Sequence, residues 1–255
     1  KDFNIQNPLI VIDSGSTKLP FISELQNLLS DTKIKSNIYS NISPNPRDDE
    51  IDGGCKAFKD GNHDSIIAIG GGSAMDGGKA ICLTVNSGIP LWDFEFLDKV
   101  PRDLKGKNPF PKLITIPTTA GTGAETEITA MVTDTKKGMK FCIWHPEARP
   151  CLALVDPELT LKLPANLTAW TGIDAMIHAI EGYSVPMFHP LCDGSALESL
   201  NLISKSLKLA VNEPDNLVAR GGMIVGSYLG GVAFLKGLGL VHAISHMVGA
   251  EYNTH

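Results

Sequence analysis

The chain has 255 residues, 43% of them hydrophobic and 20% charged, and a formal net charge of −6. This is the balance of a globular protein with enough apolar sequence for one large or two modest domains. No Lys/Arg block stands out, which argues against a nucleic-acid partner, and the five widely spaced cysteines (Cys55, Cys82, Cys142, Cys151, Cys192) form no CxxC pair and read as reduced thiols of a cytoplasmic protein.

In chain order, the opening KDFNIQNPLIVID lacks the charged and apolar regions of a signal peptide. It enters a strand almost at once, so a preceding piece of chain is expected. LIVI (9–12) is a short apolar run, closed by a turn at Asp13, Ser14 and Gly15. Residues 20–30 carry apolar positions at helical spacing, 35–39 read as a second strand, and SPNPRDDE (43–50) as a Pro-rich loop feeding a helix. SIIAI (65–69) is a buried strand ending in Gly70–Ser73, and 74–86 read as a helix. LITI (113–116) and LALV (152–155) are further strands. Such alternation predicts a parallel sheet covered by helices on both faces.

The texture changes near LTLKLPANL (159–167). Beyond it, residues 167–182, 193–211 and 216–234 read as helices. The expected organisation is therefore an α/β domain over 1–160 followed by an all-α domain over 161–255. The charge-free stretch 221–235 (GGMIVGSYLGGVAFL) is too short to span a bilayer and is followed by Lys236. Its glycines suit a helix packed closely inside a protein, and no membrane partner is expected.

Two loops are candidates for phosphate binding. In IIAIGGGSAMDGGKAI (66–81) a buried strand runs through glycines and Ser73 into a helix, whose free N–H groups and positive dipole end attract anions. Asp76 reads as falling in that helix's first turn, where a carboxylate is favourable. The plain alternative is a tight turn with no ligand. In ITIPTTAGTGAE (114–125), Thr118, Thr119 and Thr122 offer hydroxyls to phosphate or ribose, or else satisfy their own turn. Two such loops at strand ends point to one shared dinucleotide. Asp13, at the end of the first strand, can accept hydrogen bonds from an adenosine ribose and would repel a 2′-phosphate, favouring NAD over NADP. A turn-forming role for Asp13 stands beside that reading.

TAWTGIDAMIHAIEGY (168–183) places Asp174 and His178 at i and i+4, on one helix face. GLGLVHAISHMVGAEYNTH (237–255) offers His242 and His246, again at i and i+4, and then His255. Acid and imidazole groups on two apolar helices are costly to bury unpaired. One carboxylate with imidazoles suits Fe(II) or Zn(II) better than Ca or Mg.

GGGSAMDGGKA, PTTAGTGAE, TGIDAMIHAIEGY and GLGLVHAISHMVGAEYNT, in that order, resemble the motifs of the iron-containing (group III) alcohol dehydrogenases across essentially the whole chain. The resemblance implies an N-terminal dinucleotide-binding domain, a C-terminal helical domain, and a metal and active site in the cleft between them. It carries the metal ligands to Asp174, His178 and His242, and His246 to a place near the nicotinamide, where it is the candidate to relay the hydroxyl proton. Asp13 matches the ribose-binding acid. Gly71, Gly72, Ser73, Thr118, Thr119 and Thr122 match phosphate-binding positions, and Met131 and Lys140 further cofactor contacts; Asp76, from its place after the glycine loop, is a cofactor-binding candidate beside them. Thr129 and Phe234 match positions lining the substrate pocket.

The sequence departs from the family at Ala124, where Ser is more usual. Both ends look truncated against the family, whose fourth metal ligand would fall immediately after His255, with His255 itself out of register for that role. The implied cofactors are Fe(2+), with Zn(2+) also admitted by the ligand set, and NAD. The implied reaction is hydride transfer between a primary alcohol or its aldehyde and the nicotinamide, in a homodimer or higher homo-oligomer. The alternatives are a glycerol-dehydrogenase-like zinc enzyme and a non-catalytic nucleotide-binding fragment.

Overall fold

The computed structural model describes residues 3–96, 101, 104 and 109–252, except the side chain of Ala250; His255 lies outside the described residues. The chain packs as two compact units. One comprises Lys1–Ile116 and Ile128–Leu154, the other Pro117–Glu127 and Val155–His255. The Thr-rich loop therefore packs with the helices, although strands flank it in sequence.

The first unit is built on five strands: β1 (Pro8–Val11), β2 (Asn37–Tyr39), β3 (Ser65–Gly70), β4 (Lys112–Pro117) and a later short strand, β7 (Leu152–Ala153). They lie in the order β2-β1-β3-β4-β7. β1 pairs in parallel with both β2 and β3, and β4 with β7. Every residue of β1 and β3 is buried. Continuous apolar runs such as LIVI and IIAI are what a strand covered on both faces requires. Three helices join the strands: α1 (Pro20–Asp31), α2 (Asp48–Asp60) and α3 (Gly72–Thr84). The acidic first turn of α2 meets the positive end of its dipole, and Glu50 Oε2 accepts the Arg47 N–H at 3.0 Å, closing the helix start. α3 lies tight on the sheet because Gly78 carries no side chain. A Cβ there would stand 2.6 Å from Ala68 Cβ.

Three sequence expectations need correction in this unit. Residues 129–144, assigned no element, form an antiparallel hairpin of β5 (Thr129–Asp134) and β6 (Met139–Trp144), paired from Thr129↔Trp144 to Asp134↔Met139. Its turn closes with Gly138 N–H donating to Asp134 O at 2.8 Å, Gly138 taking φ +65. The second correction is α3, which begins at Gly72. Asp76 is thus its fifth residue, past the first turn, and cannot serve the helix N-terminus. The third is the LALV strand, reduced to Leu152–Ala153 at the sheet edge, where β4 is its only partner.

Among the described residues the second unit holds four longer helices: α4 (Ala165–Ser184), α5 (Pro190–Asn212), α6 (Leu217–Ala233) and α7 (Leu240–Tyr252). The helical patterns expected at 167–182, 193–211 and 216–234 match α4, α5 and α6 to within a turn. The core is made of small and branched residues, among them Ala175, Ile203, Ala210, Ala219, Met223 and Ile224. By length and composition Leu217–Lys236 could cross a membrane, and half of that stretch is buried within the protein. Its glycines are contact points: a Cβ on Gly226 would meet Ile203 at 2.6 Å, and one on Gly230 the Ala175 carbonyl at 3.0 Å. Arg220, only 2% exposed, donates to Thr168 Oγ1 (2.8 Å), Pro214 O (3.0 Å) and Leu163 O (3.4 Å). A buried guanidinium with its donors so used belongs to a helix packed against protein.

Candidate metal centre

α4 has an apolar body interrupted by Asp174, His178 and Glu181. At about 100° per residue, positions i, i+4 and i+7 fall within roughly 60° of one another on a helix, so all three face one side. Against that side stands His242, from the first turns of α7. Asp174 Oδ1 is 3.3 Å from His242 Nε2 and 3.8 Å from His178 Nε2. One ligand atom from each of the three residues lies within 4.8 Å of the others. Donors ~2.1 Å from a shared ion sit ~3–3.5 Å apart at tetrahedral or octahedral angles, so the cluster is close to the spacing a single ion needs.

The orientation of the imidazoles supports the same use. His242 Nδ1 is bound to Glu181 Oε2 at 2.5 Å, and His178 Nδ1 to the Gly121 carbonyl at 3.3 Å. With carboxylate and carbonyl as acceptors, each Nδ1 carries the proton and each Nε2 keeps its lone pair toward the cluster. His242 Nε2 is buried and makes no hydrogen bond, its approach to Asp174 being electrostatic. A buried, orphaned ring nitrogen is expensive unless something else coordinates it. The rings of His178 and His242 stack, with centroids 4.4 Å apart and an interplanar angle of 15°. Burial, above all, brings His178 down to about 4, so its imidazole is neutral at pH 7, the form that ligates. Burial opposes the charged form of His242 as well, but there the carboxylates of Asp174 and Glu181 outweigh it and raise the pKa, so a metal ion would have to displace any proton on its Nε2. Two imidazoles and a carboxylate fit Fe(II) or Zn(II).

His246 follows one turn after His242 on α7, its ring centroid 6.0 Å from that of His242. It stands outside the ligand cluster, beside it. Phe234 lies against His178, ring centroids 4.6 Å apart. The Thr-rich loop belongs to the same unit as this cluster. Thr118 is buried, and the Thr122 hydroxyl accepts the Ala124 N–H at 3.3 Å, so it serves its own turn. Gly121 is pressed onto α4, where a Cβ would stand 2.6 Å from Thr171 Cβ. That approach brings its carbonyl to His178.

The other candidate residues lie in the first unit. Asp13, just past the end of β1, and Gly70, the last residue of β3, stand together: a Cβ on Gly70 would come 3.1 Å from Asp13 Oδ2. In a sheet of this strand order, β1 and β3 flank the switch point where α/β folds take their ligands. Asp13 accepts the Gly15 N–H (3.0 Å) and the Ser16 hydroxyl (2.6 Å), so the turn-forming role is present as well. Gly71 caps α3 without a side-chain hydrogen bond, and Gly72 and Ser73 open the helix.

Asp76, Met131 and Lys140, separate in sequence, converge. The Asp76 carboxylate accepts the Met131 backbone N–H and lies near the Lys79 and Lys140 ammonium groups. Burial pushes its acid up to about 6 against those cations. Lys79 is fully buried and donates to the Thr129 carbonyl at 2.8 Å. Sequence reading passed over Lys79; its signal was the i, i+3 spacing from Asp76 inside an otherwise small-residue helix.

Residues 1–157 match the sequence profile of the family described as iron-containing alcohol dehydrogenase, and residues 168–255 the profile of the C-terminal region of Fe-containing alcohol dehydrogenases. The chain is 36% identical over 253 residues to an NAD-dependent methanol dehydrogenase of Bacillus methanolicus, covering 99% of this chain and 65% of that protein. It is 37% identical over 248 residues to alcohol dehydrogenase 4 of Schizosaccharomyces pombe, covering 97% and 57%. A solved 1,3-propanediol oxidoreductase superposes with a TM-score of 0.93 at 32% identity, covering 99% of this chain and 65% of that one. The chain thus spans somewhat less than two thirds of the length of these relatives.

Proposed function

The chain belongs to the iron-containing alcohol dehydrogenase family, and from that premise we propose that it holds divalent iron on Asp174, His178 and His242, binds NAD, and transfers hydride between a small primary alcohol and its aldehyde. The observation that carries the reading is the buried His242 Nε2, without a hydrogen bond and 3.3 Å from the Asp174 carboxylate. Two of the relatives are named for methanol and 1,3-propanediol, which supports short alcohols as the substrate class. Zinc is the other metal this donor set accepts.

A bound Fe(II) or Zn(II) supplies Lewis acidity, stabilising the negative charge that develops on an alcohol oxygen as its proton leaves. The residues around it orient and insulate. Glu181 and the Gly121 carbonyl hold the two imidazoles in one tautomer. Phe234 forms an apolar wall against His178. His246, one turn from His242, takes the hydroxyl proton or positions the nicotinamide. Gly71, Gly72 and Ser73 present backbone N–H groups to phosphate. Thr118, Thr119 and Thr122 are proposed, each on its own hydroxyl, as phosphate contacts. Asp76, Met131 and Lys140 form a polar set for the rest of the cofactor. A cytoplasmic, homodimeric protein belongs to the same proposal, and the five free cysteines fit a reducing compartment.

The test is absorbance at the NADH band when the full-length enzyme is incubated with NAD and short primary alcohols. Growth of the band is expected; NADH binding with no oxidation of any alcohol would favour a non-catalytic nucleotide-binding module. A companion prediction concerns Asp13. Its carboxylate would face a 2′-phosphate with like charge, a juxtaposition that costs several kcal/mol. Asp13→Ser is expected to raise kcat/KM for NADP relative to NAD by roughly ten- to a hundredfold. An unchanged ratio would remove Asp13 from the cofactor site.

A further inference from the structure

Glu181 is a buried carboxylate that the proposed chemistry does not itself consume. Oε2 receives the His242 Nδ1 at 2.5 Å and the Gly239 N–H at 2.9 Å; Oε1 receives the Val241 N–H at 2.7 Å. Gly239 and Val241 are backbone groups at the start of α7, where N–H groups lack helical partners. The carboxylate therefore caps α7 from a different helix. Two sequence features permit the contact. Glu181 shares the face of α4 that carries Asp174 and His178, and Gly239 leaves room for it. A Cβ on Gly239 would stand 2.8 Å from Glu181 Oε1.

We infer that Glu181 is a positioning residue of the metal centre: one carboxylate sets the tautomer of His242 and fixes the start of α7 from which that ligand projects. The inference rests on the metal-site reading above and deepens it. A neutral imidazole with Nδ1–H held by a carboxylate must offer Nε2 as its donor. The negative partner also raises the basicity of the ring. Because the same carboxylate holds the Gly239 and Val241 N–H groups, the ring's position and its tautomer are set together. Loss of an outer partner of this kind typically weakens metal affinity by about 10–100-fold.

The experiment is a Co(II) titration of the metal-free full-length protein, followed by the d–d absorption bands, in wild type, Glu181→Gln, Glu181→Asp and Asp174→Asn. Thermal unfolding of each metal-free protein is recorded alongside. Gln keeps the shape and one N–H acceptor but loses the charge. The expected result is at least tenfold weaker Co(II) binding by Glu181→Gln, with d–d bands shifted at saturation and an unfolding midpoint close to wild type. Glu181→Asp, which restores the charge, should recover part of the affinity. Binding within twofold of wild type, or a lowered midpoint with unchanged affinity and bands, would overturn the assignment and leave Glu181 a helix cap alone. Asp174→Asn separates the two readings. If it too binds Co(II) like wild type, the metal-site reading itself fails; if it alone loses Co(II), only the role of Glu181 falls.

Discussion

Replacing His178 with alanine is expected to strip the metal from the full-length protein and bring alcohol oxidation to background. The substitution removes one of three donors grouped within 4.8 Å. It also removes the ring that stacks on His242 and the hydrogen bond that ties the cluster to Gly121. Changes in the outer partners of metal ligands cost about 10–100-fold in affinity or activity, so loss of a ligand itself should exceed the upper end of that range. Metal content per chain after dialysis, with the rate of NADH formation, is the measurement. Retention of one metal per chain together with wild-type turnover would sink the ligand assignment.

The second large effect is expected at Gly123. It has φ +64, and a Cβ there would stand 2.7 Å from Gly231 Cα and 3.1 Å from Gly231 N. Both are backbone atoms of α6, which cannot turn aside as a flexible side chain would. A β-branched residue in the left-handed region is a further strain. Left-handed backbone costs about 1–2 kcal/mol and overpacking about 1–3 kcal/mol. Gly123→Val should therefore destabilise the helical unit by about 2–5 kcal/mol. For a chain of this size that is on the order of 4–20 °C in Tm. NADH affinity should fall with it, because the displaced loop carries Thr118, Thr119 and Thr122. A midpoint within a degree or two of wild type, measured by circular dichroism, would show that the Gly123–Gly231 contact yields easily.

Much of this protein is written in local pattern. The runs LIVI and SIIAI are β1 and β3 because an unbroken apolar run can be buried on both faces of a sheet. The long helices follow from 3.6-residue periodicity. The hairpin β5–β6 was as visible in principle: TAMVTD and MKFCIW flank a turn closed by Gly138. It was missed because the Thr- and Lys-rich stretch between the runs reads as loop. The sequence pattern places Asp76 in the first turn of α3 because 74–86 reads as the helix, whereas Gly72 and Ser73 are already helical.

The sequence by itself determined the alternation of strands and helices, the two glycine- and hydroxyl-bearing loops, and the pairing of Asp174 with His178 one helical turn apart. These depend on neighbours within a few residues, where backbone geometry is regular enough to be read as spacing. Only the tertiary structure decided that Asp174, His178 and His242 converge, with His246 beside them. It also decided that the Thr-rich loop packs with the helices, that the Gly121 carbonyl and Glu181 hold the two imidazoles, and that Asp76 meets Met131. Those meetings join positions roughly 55 to 70 residues apart. They are set by how closely glycines let backbones approach and by which buried polar groups must find partners. Neither leaves a periodic trace in the order of the residues.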